Sequence, residues 1–204
     1  MYSNIPDWAG DLISNSKIEK LKHYQDWLFN EGVKKGLISN KSKQYIWEEF
    51  ILHSIGFSYL MNTKNKPKYI ADLGTGAGIP GIPIAIASPE KEVFLVDTSR
   101  KRIGELKKIK VLLDLNNIYP TLMSAHEFIS QNQNKIGAYV SRCFKPREEM
   151  LDSLFVEKTL SGRLLLVSSG EGNLEEDNKL FHVKREKIKL NKGKIRHIDV
   201  ITFK

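Results

Sequence analysis

Residues 69 to 81 read Tyr-Ile-Ala-Asp-Leu-Gly-Thr-Gly-Ala-Gly-Ile-Pro-Gly, a buried-strand signal that breaks into a glycine-rich turn and then a helix start at Pro80. Gly74, Gly76 and Gly78 carry no Cβ and tolerate positive φ, so backbone here can press against a ligand at a strand's carboxyl end. Pro80 suits a first helical turn, whose unpaired amides are expected to face the same crevice. The spacing separates cofactor classes. A dinucleotide turn wants Gly-x-Gly-x-x-Gly or alanine in the last place, and Ile79 stands there. Gly-x-Gly-x-Gly with Asp72 two residues earlier suits S-adenosylmethionine, which has no pyrophosphate for a helix to hold. Asp97 closes the next strand, Val93-Phe94-Leu95-Val96, at the place where an acid accepts ribose hydroxyls in doubly wound folds.

Strand and helix patterns alternate after this turn. Strands are expected at 68–73, 92–97, 118–123, 137–142 and 162–168, with helices near 80–88, from Ser99 to about Leu115, and at 147–159. In the helix from Ser99, Ile103, Leu106, Leu113 and the Lys110 stem face inward and most basic residues outward. Two more strands, 180–190 and 195–203, are joined by Asn191-Lys192-Gly193-Lys194, a hairpin signal. This predicts an α/β, Rossmann-like sheet of the class I S-adenosylmethionine-dependent methyltransferase type, mostly parallel with a C-terminal antiparallel hairpin. Ahead of it, helical patterns at 12–35 (Leu21, Tyr24, Trp27, Leu28) and 43–61 (Ile46, Trp47, Phe50, Ile51, Ser54) form an N-terminal extension. The boundary is expected in the polar stretch 62–68, giving an extension over 1–66 and a cofactor-binding domain over 67–204.

The 204 residues allow one substantial core. No apolar run reaches membrane-span length and Met1 to Asp11 lacks a signal-peptide shape, so a cytoplasmic protein is expected. Cys143 is the lone cysteine, and it can make neither an internal disulfide nor a structural zinc site. It lacks the Pro-Cys or Thr-Cys setting of a nucleophile for cytosine C5, and an inert, buried thiol is expected. The five histidines show no metal spacing, and no metal is expected. His53 is read as a structural histidine at a position from which it could face the cleft. The net charge of +8 and a pI near 9.4 favour a polyanionic partner. Basic residues cluster in Arg100-Lys101-Arg102 and Lys107 to Lys110, and again at 184–194, where a solvated edge is expected.

Asp-Leu-Gly-Thr-Gly-Ala-Gly-Ile-Pro-Gly-Ile-Pro (72–83) resembles the signature of the small-subunit ribosomal RNA methyltransferase G family, also called glucose-inhibited division protein B. Further matches are Val-Asp-Thr-Ser-Arg-Lys-Arg (96–102), Val-Ser-Arg-Cys-Phe (140–144) and Arg-His-Ile-Asp-Val-Ile (196–201), with Leu-Ile-Ser and Ile-Leu-His-Ser-Ile between Leu37 and Ile55. The resemblance implies S-adenosylmethionine-dependent methylation of a guanine N7 in 16S ribosomal RNA. It places cofactor contacts on Gly74, Ile79, Ala125, His126 and Arg142, alongside Gly76, Gly78 and Asp97 from the turn and strand end. Arg100, Lys101, Arg102 and Arg142 are the expected RNA contacts, and 16S ribosomal RNA or the small ribosomal subunit the expected partner of a monomer. No catalytic base is expected, since guanine N7 carries a lone pair and no proton.

The chain departs from the family on the substrate side. Phe50 and His53 stand where a histidine and an aspartate are usual, and Ser124 and Ser169 where an arginine and a lysine are usual. Two other readings fit these substitutions: a methyltransferase of the same fold acting on another RNA or a small molecule, and a non-catalytic module that binds cofactor and RNA.

Overall fold

The computed structural model describes residues 5–64, 66–132, 134–142, 144–152 and 160–204. The expected alternation is present. The parallel strands are β1 (Tyr69–Leu73), β2 (Glu92–Asp97), β3 (Ile118–Leu122), β4 (Ala138–Ser141) and β5 (Leu164–Ser169). They are followed by β6 (Glu175–Asp177), β7 (Phe181–Lys189) and β8 (Ile195–Phe203). The sheet order is β3-β2-β1-β4-β5-β8-β7-β6, with β8 antiparallel to β5 and to β7, and β6 antiparallel to β7. Strand order reverses between β1 and β4, so the crevice for a ligand opens beyond the carboxyl ends of those strands.

The helices are α1 (Asp7–Gly10), α2 (Asn15–Trp27), α3 (His53–Asn62), α4 (Gly81–Ala87), α5 (Arg100–Leu112), α6 (Ala125–Asn132) and α7 (Arg147–Met150). The expected helix over 12–35 is α2, which widens into a π turn at Leu28–Gly32, and the short α1 stands ahead of it. The one expected over 43–61 is composite: a tight 3₁₀ stretch Asn40–Tyr45, a π stretch Ile46–Leu52 and then α3. Irregular turns cost helical hydrogen-bond geometry, and such insertions cluster at functional positions. Residues 153–159 of the helix expected over 147–159, and Cys143, lie outside the described residues.

Alternation along the strands divides the core between two faces. Ile70, Leu95, Val140 and Leu166 pack on one side with Leu21, Tyr24, Leu28, Ile51 and Ile55 of the extension and with Ile103, Leu106 and Ile109 of α5. Ala71, Leu73, Val96, Tyr139 and Leu165 pack on the other with Phe128 and Ile129 of α6. The extension thus shares the core of the sheet's first face. It is also tied by polar contacts: the Tyr24 hydroxyl donates to the Ala77 carbonyl (2.9 Å), the Trp8 indole to Lys189 O (2.7 Å) and Lys17 Nζ to Ala87 O (2.7 Å).

Candidate cofactor cleft and basic rim

Asp72 organises the glycine turn. It lies fully buried near the end of β1, and one carboxylate oxygen accepts from the Thr75 hydroxyl (2.7 Å) and the Gly81 amide (2.8 Å). Its other oxygen, Oδ1, meets no partner among the described residues. Burial pushes the carboxyl up to about 7 against the pull of those two hydrogen bonds. The Gly81 amide, expected to face a ligand in the crevice, is therefore taken by Asp72, because the turn folds its own carboxylate beneath the helix start.

Asp97 clamps the turn from β2. Its Oδ2 accepts from the Gly76 amide (3.0 Å) and contacts Arg102 Nη1 (3.2 Å), while Oδ1 accepts from the Ser99 amide (2.8 Å). The Gly74 and Thr75 amides both donate to Val96 O. Gly74, Gly76 and Gly78 all have positive φ, as their pattern predicts, yet they serve different neighbours. A Cβ on Gly78 would meet Ile82 Cδ1 at 2.4 Å, and one on Gly74 would meet the Phe144 ring at 2.4 Å. Only the Cβ position of Gly76 opens on space, with Gly74 O nearest at 3.9 Å. So Gly78 is required for packing against α4 and α5, Gly74 for the approach of Phe144, and Gly76 leaves room above the turn.

A cleft of about 270 Å³ lies here, lined by Gly74, Val96, Asp97, Thr98, Arg102, Met123, Ala125 and Phe144. The structure brings Gly74, Asp97, Ala125 and Arg102 together on its wall. His126 does not line it: Ala125 and His126 open α6, whose first turn buries Ala125 and leaves His126 exposed. The unrecognised helix had a signal, since Ser124-Ala-His-Glu127 is a capping-box spacing, and Ser124 Oγ accepts from the Glu127 amide (3.2 Å). Ile79 packs against the core below the turn. Arg100 and Lys101 are exposed on α5, and Lys101 Nζ donates to Lys35 O (2.8 Å), joining α5 to the extension.

Arg142 is placed elsewhere than the cleft wall. From the end of β4 it donates to the Glu49 carbonyl, and its guanidinium lies over the Phe50 ring, 4.9 Å from the centroid. The Glu49 carboxylate in turn pairs with Arg196 of β8, Nε to Oε2 at 2.7 Å, and with Lys194 at 3.7 Å. The π stretch, the β4 end and the β8 start therefore meet in one basic rim. Nothing in the sequence singles out Glu49 as its hub, because its partners lie far along the chain. His53 sits beneath this rim, 3% exposed and tilted against Phe57, with neither ring nitrogen in hydrogen-bond geometry among the described residues. Burial, helped by the Arg142 and Arg196 charges, lowers its pKa to about 3, so the imidazole is neutral. Ser169, opposite His197 on β8, is half-buried with its hydroxyl unpartnered among the described residues. No three potential metal ligands come together among the described residues.

The family described as rRNA small subunit methyltransferase G matches residues 17–199. A ribosomal RNA small subunit methyltransferase G of Mycobacterium ulcerans is 30% identical over 166 residues, covering 80% of this chain and 95% of that one. Its Mycobacterium marinum counterpart is 32% identical over 109 residues, 53% of this chain and 46% of its own length, so the match spans about half of that relative. Among solved structures, an O-methyltransferase from Bacillus cereus in complex with SAH superposes with a TM-score of 0.60 at 12% identity, over 94% of this chain and 92% of that one, a likeness of fold. A match running from the extension into the last strand, over a sheet of this order, means that the chain belongs to the rRNA small subunit methyltransferase G family, whose methylation depends on S-adenosylmethionine.

Proposed function

We propose that this chain methylates N7 of a guanine in 16S ribosomal RNA. The observation that carries the reading is the glycine turn clamped between Asp72 and Asp97 at the mouth of a cleft, within a chain matched to this family over residues 17–199. The cleft fits the cofactor on two counts: the open space above Gly76, and the Asp97 carboxylate on its wall, an acceptor suited to ribose hydroxyls. S-adenosylmethionine supplies an electrophilic methyl group on a sulfonium leaving group.

In this reading Gly74, Gly76, Gly78, Ile79, Asp97 and Ala125 hold the cofactor, with Asp97 accepting from ribose hydroxyls. His126, exposed on α6, and Arg142, held on the basic rim by the Glu49 carbonyl, stand off the cleft wall and are not assigned to the cofactor. Arg100, Lys101, Arg102 and Arg142 neutralise RNA phosphate, and the extension over 1–66 widens the RNA surface. The residues need remove no proton, because the N7 lone pair is already free. Their work is to hold the nucleophile within about 3 Å of the methyl group, in line with the leaving sulfur, and to keep water out. The enzyme acts as a cytoplasmic monomer.

The test is transfer of tritiated methyl from S-adenosylmethionine to naked 16S ribosomal RNA and to small ribosomal subunits from a strain lacking this protein, followed by nucleoside mass spectrometry. Label in 7-methylguanosine is expected. Intact cofactor binding with no labelled guanosine in either substrate would refute the assignment, and the better of the two substrates identifies the assembly state recognised.

A further inference from the structure

Two exposed aromatic rings on the extension are each covered by a cation. Phe29, 44% exposed, has Lys43 Nζ 4.2 Å from its ring centroid, and Tyr45, 42% exposed, has Lys194 Nζ at 4.8 Å. Isolated exposed apolar side chains are ordinary on a protein surface. These two are not isolated. Lys43 and Tyr45 share the 3₁₀ stretch Asn40–Tyr45, and Lys194 extends from Tyr45 to Glu49. Glu49 carries the run on to Arg196 and, through its carbonyl, to Arg142 over the Phe50 ring. Two residues beyond Arg142, the partly exposed Phe144 closes over Gly74 at the cofactor cleft. Along this line the cations Lys43, Lys194, Arg196 and Arg142 outnumber the acids Glu48 and Glu49.

Alternating cations and flat rings suit an unpaired nucleic acid strand, whose phosphates and base faces are both available. A guanine that enters the cleft must leave its stack, and its neighbours lose a stacking partner when it does. We propose that Phe29 and Tyr45 form a stacking platform for unpaired bases flanking the target, with Lys43, Lys194 and Arg196 taking the adjoining phosphates. A base settling on either ring takes the place of the lysine ammonium, which then pairs with phosphate. The inference rests on the RNA-methylating reading above and assigns its substrate track.

The experiment compares binding of the full chain to an unpaired RNA of about 12 nucleotides and to a blunt RNA duplex of the same length, by fluorescence anisotropy. Phe29→Ala and Tyr45→Ala are each expected to weaken binding to the unpaired RNA about 5- to 150-fold, the range covered by loss of one base–ring stack. Duplex binding is expected to hold. Tyr45→Phe keeps the ring and should bind like wild type, as should Val111→Ser, which alters an 81%-exposed apolar residue on α5. Phe29→Leu and Tyr45→Leu keep apolar bulk without the flat ring, and serve if the alanine variants do not fold. Unchanged binding of the unpaired RNA, or an equal loss on both RNAs, overturns the platform. Methylation separates this outcome from failure of the activity itself. A wild-type chain that makes no 7-methylguanosine overturns the activity, whereas a Phe29→Leu/Tyr45→Leu protein that methylates with wild-type KM overturns only the platform.

Discussion

Arg196 and Glu49, 147 residues apart in sequence, meet through two guanidinium–carboxylate hydrogen bonds, one of them Nε to Oε2 at 2.7 Å. The pair joins the last strand to the irregular helical stretch of the extension. Part of the Arg196 side chain is open to water, which limits what the contact is worth. A double-mutant cycle with Glu49→Ala and Arg196→Ala is expected to give a coupling of about 1 kcal/mol at low salt, shrinking as ionic strength rises. Urea unfolding of the four proteins measures it, and a coupling insensitive to salt would contradict the electrostatic account.

Gly76 and Gly78 have the same kind of backbone and should fail differently. At Gly78 (φ 95°) an alanine Cβ would enter the Ile82 side chain, whereas at Gly76 (φ 57°) it would enter open space. Gly76→Ala is expected to cost about 1–2 kcal/mol of stability from left-handed strain and to weaken S-adenosylmethionine binding. Gly78→Ala adds overpacking of about 1–3 kcal/mol to the same strain. Denaturant titration and calorimetric cofactor binding check the pair; equal stability losses would contradict the division of roles.

His53 and Asp72 pull the pH dependence of stability in opposite directions. The unfolded chain takes up a proton on His53 below pH 6.5, while the buried imidazole takes one only near 3, so this contribution is lost as pH falls through that interval. Folded Asp72 keeps its proton to about 7, against 3.8 in the unfolded chain, so its contribution is full below 3.8 and lost as pH rises towards 7. Over the shared window the slopes oppose. His53→Leu is expected to leave a protein whose stability declines as pH rises across it, and Asp72→Asn one whose stability climbs, each by up to about 1.4 kcal/mol per pH unit. Urea unfolding across a pH series decides, and parallel profiles for the two variants would refute the assignment.

Asp199, 1% exposed on β8, receives Arg185 Nε at 2.6 Å and Nη2 at 3.0 Å, with Arg147 Nη1 at 3.3 Å. Its partner Arg185 is held above the ordinary arginine range chiefly by this hydrogen bond. Asp199→Ala leaves two inward-facing cations without their shared carboxylate and should cost about 3–5 kcal/mol. A thermal midpoint close to wild type would show that Glu148 and Glu176, the other acids on Arg147, suffice.

Strand positions were legible because burial on both faces writes continuous apolar runs, as in Val93 to Val96 and Leu164 to Val167. The turn and Asp97 were legible because backbone conformation restricts residue type there. The 3₁₀ and π stretches were not, since Ile46, Trp47 and Ile51 are buried whichever helix carries them. The family resemblance places Arg142 beside the cofactor, and the sequence holds no sign that Phe50 and the Glu49 carbonyl engage it. The resemblance likewise pairs His126 with Ala125, but adjacent helical residues point about 100° apart, and of the two Ala125 lines the cleft. The Arg-His-Ile-Asp-Val-Ile run was recognisable before its reason was. The structure gives one: Arg196 reaches Glu49, and Asp199 holds Arg185 and Arg147.

The placement of β8 beside β5 bears on the order in which the molecule is made. The glycine turn and Asp97 leave the ribosome early and can close on each other at once. The rim must wait for Arg196, on the strand that also covers β5. Until then β5 offers an open edge of unpaired amides and carbonyls, the kind of surface on which nascent chains stick to one another. A polypeptide released before residue 195 would thus retain the clamped glycine turn while lacking one wall of its basic mouth, with its sheet left open for another chain to join.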